Sequence, residues 1–97
     1  MERKRKKPLE WSRRAAGQLL EIENYIAQDD PIVAATVVDR IIATAAKLST
    51  FPPASSVGRL RCTRELVITR YPYTISYRVR RTTVQIIRVV QQARMFP

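Results

Sequence analysis

The sequence predicts an α+β domain, an antiparallel helical hairpin packed on a small, mainly antiparallel β-sheet in the order β-α-α-β-β-β. Three observations carry this. Before Thr50, apolar residues recur at helical spacing in two blocks parted by Asp29-Asp30. After Gly58 the spacing changes to alternation, rich in β-branched and aromatic residues. Between them, residues 52–58 hold two prolines, two serines and a glycine, a composition that reads as loop.

Taken in order, Met1–Lys7 is a basic run expected to form a flexible tail, and residues 8–97 form the single domain. Pro8-Leu9-Glu10-Trp11 suits a short edge strand, with proline tolerated at its start. Ser12 offers an N-cap hydroxyl to a helix running to about Gln28. Ala15, Leu19, Ile22 and Ile26 form one face of that helix. Gly17 inside it costs about 1 kcal/mol relative to alanine, and close packing against a neighbour is the expected compensation. Asp30 caps the second helix, and Pro31 stands at the first helical position, where a missing N–H costs nothing. Ala34, Val37, Ile41, Ala45 and Leu48 make its apolar stripe, and Pro52-Pro53 follows its end. The two-residue link implies helices folded back on each other. Three strands are then expected, Cys62–Ile68, Tyr73–Val79 and Thr83–Gln91. In the middle one, Tyr73, Ile75, Tyr77 and Val79 alternate with Thr74, Ser76, Arg78 and Arg80, giving an apolar and a polar face. The last is more continuously apolar and reads as a central strand buried on both faces.

Charge is spread unevenly over the net +10. All nine basic residues after Thr50 are arginine, set against one acid, Glu65. Such a surface should meet a polyanion or an acidic protein. Chemistry is harder to place. The chain has no histidine, one cysteine (Cys62) and two glycines, so no metal site, phosphate loop or cofactor site is readable. Glu21 and Glu23, two apart on a helix, do not share a face. These absences argue against an enzyme. A lone cysteine fits a reducing cytoplasm, and no apolar run is long enough to span a membrane. The tyrosines among the arginines could stack on bases, but Tyr73 and Tyr77 share the apolar strand face, where core packing is the competing role. Arg78 and Arg80, on the opposite face, are the better candidates for contact with a partner.

Several residues form an ordered set: Trp11-Ser12, Leu19, Ile22, Tyr25-Ile26, Pro31, Ala34-Ala35, Ile41, Leu48 and Pro52. The set continues through Gly58-Arg59, residues 63–68, Tyr71-Pro72-Tyr73, Ile75, Tyr77-Arg78-Val79, Ile87-Arg88-Val89, Arg94 and Pro97. This set resembles the ParE/RelE superfamily of toxins from bacterial type II toxin–antitoxin systems, over about residues 8–97. The resemblance implies a toxin neutralised by a cognate, ParD-like antitoxin. One branch of the superfamily poisons DNA gyrase; the other cleaves messenger RNA on the ribosome. Where the ribonuclease branch often carries lysines on the second strand, this chain has Glu65 and Val67. The arginine that typically follows the strand-three tyrosine falls on Thr74. Arg94 alone matches a basic catalytic position, and Gln91-Gln92 stand where many relatives have histidine. Cleavage needs a base for the 2′-hydroxyl, so the gyrase branch is favoured, with a RelE-type endoribonuclease as the alternative and a non-toxic nucleic-acid-binding module as a third. Candidate target contacts are Arg64, Arg88, Arg94, Met95 and Phe96. Candidate antitoxin contacts are Leu20, Tyr25, Val33 and Val38, off or at the margin of the apolar stripes and with core packing as the competing role, together with Arg78 and Arg80.

Overall fold

A computed structural model describes residues 7–50, 56–57 and 63–91. Strand β1 (Leu9–Trp11) runs through Ser12 directly into helix α1 (Arg13–Ala27), and α2 (Pro31–Ala46) follows, tightening into a 3₁₀ turn over Lys47–Ser49. Strands β2 (Ser56–Val57), β3 (Arg64–Val67), β4 (Tyr73–Val79) and β5 (Val84–Gln91) complete one sheet in the order β1-β5-β4-β3-β2. The consecutive strands from β2 onward pair antiparallel, and β1 joins β5 in parallel. The α+β architecture and element order are those read from the sequence. The segment read as loop contains the two-residue strand β2.

Both helices start where side chains satisfy their free N–H groups. The Ser12 hydroxyl accepts from the Ala15 N–H (3.0 Å) and donates to the Ile87 carbonyl (2.9 Å), while the Ser12 N–H reaches the Ile86 carbonyl (2.9 Å). One residue thus ends β1, caps α1 and ties both to β5. Asp30 Oδ1 accepts from the N–H groups of Ile32 (3.0 Å) and Val33 (3.2 Å). Lys7, the last residue of the basic run, is anchored by three bonds. Its N–H donates to the Ser49 carbonyl (3.0 Å), its carbonyl accepts from the Ser49 hydroxyl (2.8 Å), and its Nζ donates to the Arg80 carbonyl (2.9 Å).

The core lies between the hairpin and one face of the sheet. Ala15, Val37, Ile41, Ala45 and Leu48 meet Ile68, Tyr73, Ile75, Tyr77, Val84, Ile86 and Val89, with Leu9, Trp11, Leu19, Ile22, Ile26, Leu66 and Tyr71 around them. Tyr73 and Tyr77 are therefore core residues. Gly17 departs from expectation, because a Cβ there would meet nothing within 4 Å among the described residues. Two residues on from buried Ala15 means a rotation of about 200° around the helix, which points position 17 to solvent.

Strand β5 is not buried on both faces. Tyr77 pairs with Ile86 but Ser76 pairs with Arg88, leaving Ile87 as an extra residue in a β-bulge. The bulge shifts the parity of the strand, so Val84, Ile86 and then Val89 face the helices. Gln85, Arg88 and Val90 are half-buried on the other face. The apolar run looked continuous because two alternating patterns are joined out of step. In the turn before β4, Arg70 takes a left-handed conformation (φ 84°), a conformation costing about 1–2 kcal/mol in a residue with a Cβ.

Candidate functional site: the helix-free face of the sheet

Residues directly opposite on paired strands lie on the same face, so register assigns the sheet's second face, the one without helices. Glu10, Gln85 and Arg78 form one row across β1, β5 and β4. Arg88, Ser76 and Glu65 form the next across β5, β4 and β3, and Val90, Thr74 and Val67 the third. Thr74 and Ser76 are buried, at 8% and 3% exposure, so the polar face of β4 is not the open surface its alternation implied. A central strand is flanked on both sides: the register sets Arg88 and Val90 on one side of Ser76 and Thr74, and Glu65 and Val67 on the other. What this face offers a partner is guanidinium. Arg78 and Arg88 are half-buried, and the Nε of each is covered and without a hydrogen-bond partner among the described residues.

The proposed target contacts are not gathered in one place. Arg64 pairs with Tyr77 and so faces the helix side, exposed at its rim, whereas Arg88 pairs with Ser76 on the opposite face. Arg94, Met95 and Phe96 lie outside the described residues, as do Arg59, Arg61 and Cys62. Arg78 does lie on the helix-free face; Arg80 is exposed in the turn beyond β4, its N–H bonded to the Thr83 carbonyl (2.8 Å).

The candidate antitoxin contacts divide similarly. Leu20, Tyr25 and Val33 are exposed by 55%, 72% and 43%, so these three are not core residues, while Val38 is half-buried. Five residues apart on a helix is about 140° of rotation, which puts Leu20 and Tyr25 on different flanks of α1, and Val33 and Val38 on different flanks of α2. Tyr25 belongs instead to a cleft of about 390 Å³ between α1 and the start of β4, lined also by Glu21, Ile22, Tyr73 and Gln91. Burial, and second the neighbouring Tyr25, push the Tyr73 hydroxyl above its ordinary 10.0, so it remains a neutral donor in ordinary buffers. Ile32 and Ile42, 77% and 44% exposed, are further apolar surface residues that sequence reasoning missed. Their signal was present, since neither falls on the Ala34–Val37–Ile41–Ala45 stripe. Gln18 was also missed: its Oε1 accepts from the Val89 N–H (2.8 Å), closing the edge of β5 where β1 has ended.

Comparison with known proteins agrees with this architecture. Residues 9–96 match the family model of the ParE toxin of the type II toxin–antitoxin system parDE. Y4kP of Sinorhizobium fredii is 41% identical over 92 residues, covering 95% of each chain. Toxin RelE2 of Caulobacter vibrioides is 36% identical over 87 residues, covering 88% of this chain and 94% of its own. A solved chain from the chromosomal ParDE system of P. aeruginosa superposes with a TM-score of 0.80 at 26% identity, over 88% of this chain and 95% of that one. A family pattern that runs from β1 to beyond β5, on the same fold, makes this protein a member of the ParE toxin family of type II toxin–antitoxin systems.

Proposed function

We propose that this toxin poisons DNA gyrase by binding, without bond-making chemistry of its own, and that a cognate ParD-like antitoxin holds it inactive. The observation that carries the reading is the match to the ParE family over residues 9–96, supported by the likeness to a chain of a ParDE system. The sheet adds a physical argument. Glu65, Val67 and Thr74, where the ribonuclease branch tends to carry cations, lie together on the helix-free face, Val67 directly opposite Thr74. At those three positions, cations that could stabilise a cleaving phosphodiester are replaced by an acid, a hydrocarbon and a small hydroxyl. The chain also supplies no histidine as base. Arg64, Arg88, Arg94, Met95 and Phe96 are the candidate target contacts, although Arg64 and Arg88 face opposite ways and would engage different surfaces.

With purified gyrase and supercoiled plasmid, the protein should inhibit supercoiling and trap linear, cleaved DNA. Neither effect at a large molar excess of toxin would remove the reading. The 36% identity to toxin RelE2 keeps a second reading in play, a ribosome-dependent endoribonuclease. In that case messenger RNA is cut in a translating extract and Arg94→Ala abolishes the cut.

A further inference from the structure

We propose that the cleft between α1 and the start of β4 is a guanidinium site, and that its occupant is an arginine side chain presented by a partner polypeptide. The site uses none of the chain's own arginines and does not depend on the gyrase reading. Three elements build it. Glu21 and Tyr25 stand one turn apart on α1, and Tyr73 and Gln91 stand directly opposite each other on β4 and β5. With Ile22 they line a space of about 390 Å³.

Two side chains there are poised for a ligand. Tyr73 is only 7% exposed, and its hydroxyl has no hydrogen-bond partner among the described residues. Its ring belongs to the core, while the polar end is left for what enters the cleft. Glu21 is exposed, and no ion pair or hydrogen bond engages its carboxylate among the described residues. The surroundings reinforce it. Residues 21–30 hold Glu21, Glu23, Asp29 and Asp30 and neither lysine nor arginine, in a chain of net charge +10. Arg70, exposed in the turn before β4, does not line the cleft.

This lining selects among ligands. A carboxylate or phosphate meets Glu21 and is repelled. A divalent metal ion needs more oxygen ligands than one carboxylate offers, and no group of three acids, histidines or cysteines stands together among the described residues. An organic cation fits. The ring of Tyr25, 72% exposed, offers it a negative face. Arginine suits the site better than lysine. Its flat guanidinium can stack on that ring while five N–H donors reach the carboxylate, the phenol oxygens and the Gln91 amide oxygen. An exposed ion pair and one cation–π contact are each worth roughly fivefold to thirtyfold in affinity. That is too little to hold a free cation tightly, so the arginine is one anchor of a longer protein contact.

The test is an NMR titration of the isotope-labelled full chain with the peptide acetyl-Gly-Arg-Gly-amide, which isolates the anchor. Resonances of Glu21, Tyr25, Tyr73 and Gln91 should shift together and saturate with millimolar affinity. The same peptide with citrulline, which keeps the shape and loses the charge, should bind at least fivefold more weakly, and the lysine peptide about threefold more weakly. Glu21→Gln should weaken the arginine peptide at least fivefold, whereas Glu23→Gln, one residue outside the cleft lining, should change it less than twofold. Tyr25→Leu should weaken it several-fold, and Tyr25→Phe, which keeps the ring, should stay within twofold. Thermal melts check that each variant folds. If a Tyr25 variant does not, Glu21→Gln decides, since it alters an exposed side chain. The proposal is overturned if these resonances do not shift, if the citrulline peptide binds equally, or if Glu21→Gln stays within twofold of the native chain. It is also overturned if Glu23→Gln weakens binding as much, which would reduce the effect to general charge. The gyrase assay reads a different property, so the two readings can fail separately.

Discussion

Gly17 is a residue whose cost is visible and whose benefit is absent from the isolated fold. It interrupts α1 at an exposed position where a methyl group would touch nothing within 4 Å. Gly17→Ala should therefore stabilise the protein by about 1 kcal/mol, raising the melting temperature by roughly 4–8 °C. An unchanged or lowered melting temperature would mean that the helix backbone at this point departs from ordinary geometry. The sequence identified the glycine but pointed to the wrong cause, because helical spacing alone does not say which neighbours a position will have. Arg70 shows the same limit: nothing in Thr69-Arg70-Tyr71 marks the left-handed backbone that the tight β3–β4 turn imposes.

At the scale of elements, the junction of β1, α1 and β5 carries more than its length suggests. The Ser12 hydroxyl uses both of its capacities, accepting from the Ala15 N–H and donating to the Ile87 carbonyl at the bulge. Ser12→Ala should cost about 2 kcal/mol, combining a lost cap with an unsatisfied carbonyl. Ser12→Thr should recover most of it. Urea denaturation measures both, and a loss under about 0.5 kcal/mol for alanine would show that water replaces the hydroxyl at little cost. Helices, caps and the span of β4 were legible because each depends on local periodicity and on a capping or breaking residue close in sequence. The bulge was not, since an extra residue in β5 is defined only by what stands opposite on β4. Its consequence for the site is direct. Without the shift at Ile87, Arg88 would fall on the helix face and would not share a surface with Arg78.

For the whole molecule, the hairpin presents Leu20, Tyr25, Ile32, Val33 and Ile42 to solvent, on flanks too far around each helix to form one groove. An antitoxin that covers them must wrap rather than lie along a single line, as a chain that folds on binding can do. Leu20→Asp and Tyr25→Asp, made separately, should each weaken a co-purified antitoxin complex tenfold or more, about 1.4 kcal/mol apiece. Titration of toxin with antitoxin measures this, and if only one variant is affected, docking is confined to that flank. No helix among the described residues is long and apolar enough to cross a membrane.

The sequence by itself determined the helical hairpin, four of the five strands and their order along the chain, the basic bias of the second half and the toxin family. These follow from local spacing, capping chemistry and composition, which are properties of residues near one another along the chain. Only the tertiary structure decided which arginines share a face. It separated Arg64 from Arg88, set Arg88 on the face of Arg78, buried Thr74 and Ser76, and left the Nε–H groups of Arg78 and Arg88 without acceptors among the described residues. The physical reason is that a strand's faces are assigned by its partners' register, and one extra residue at Ile87 reverses every face beyond it.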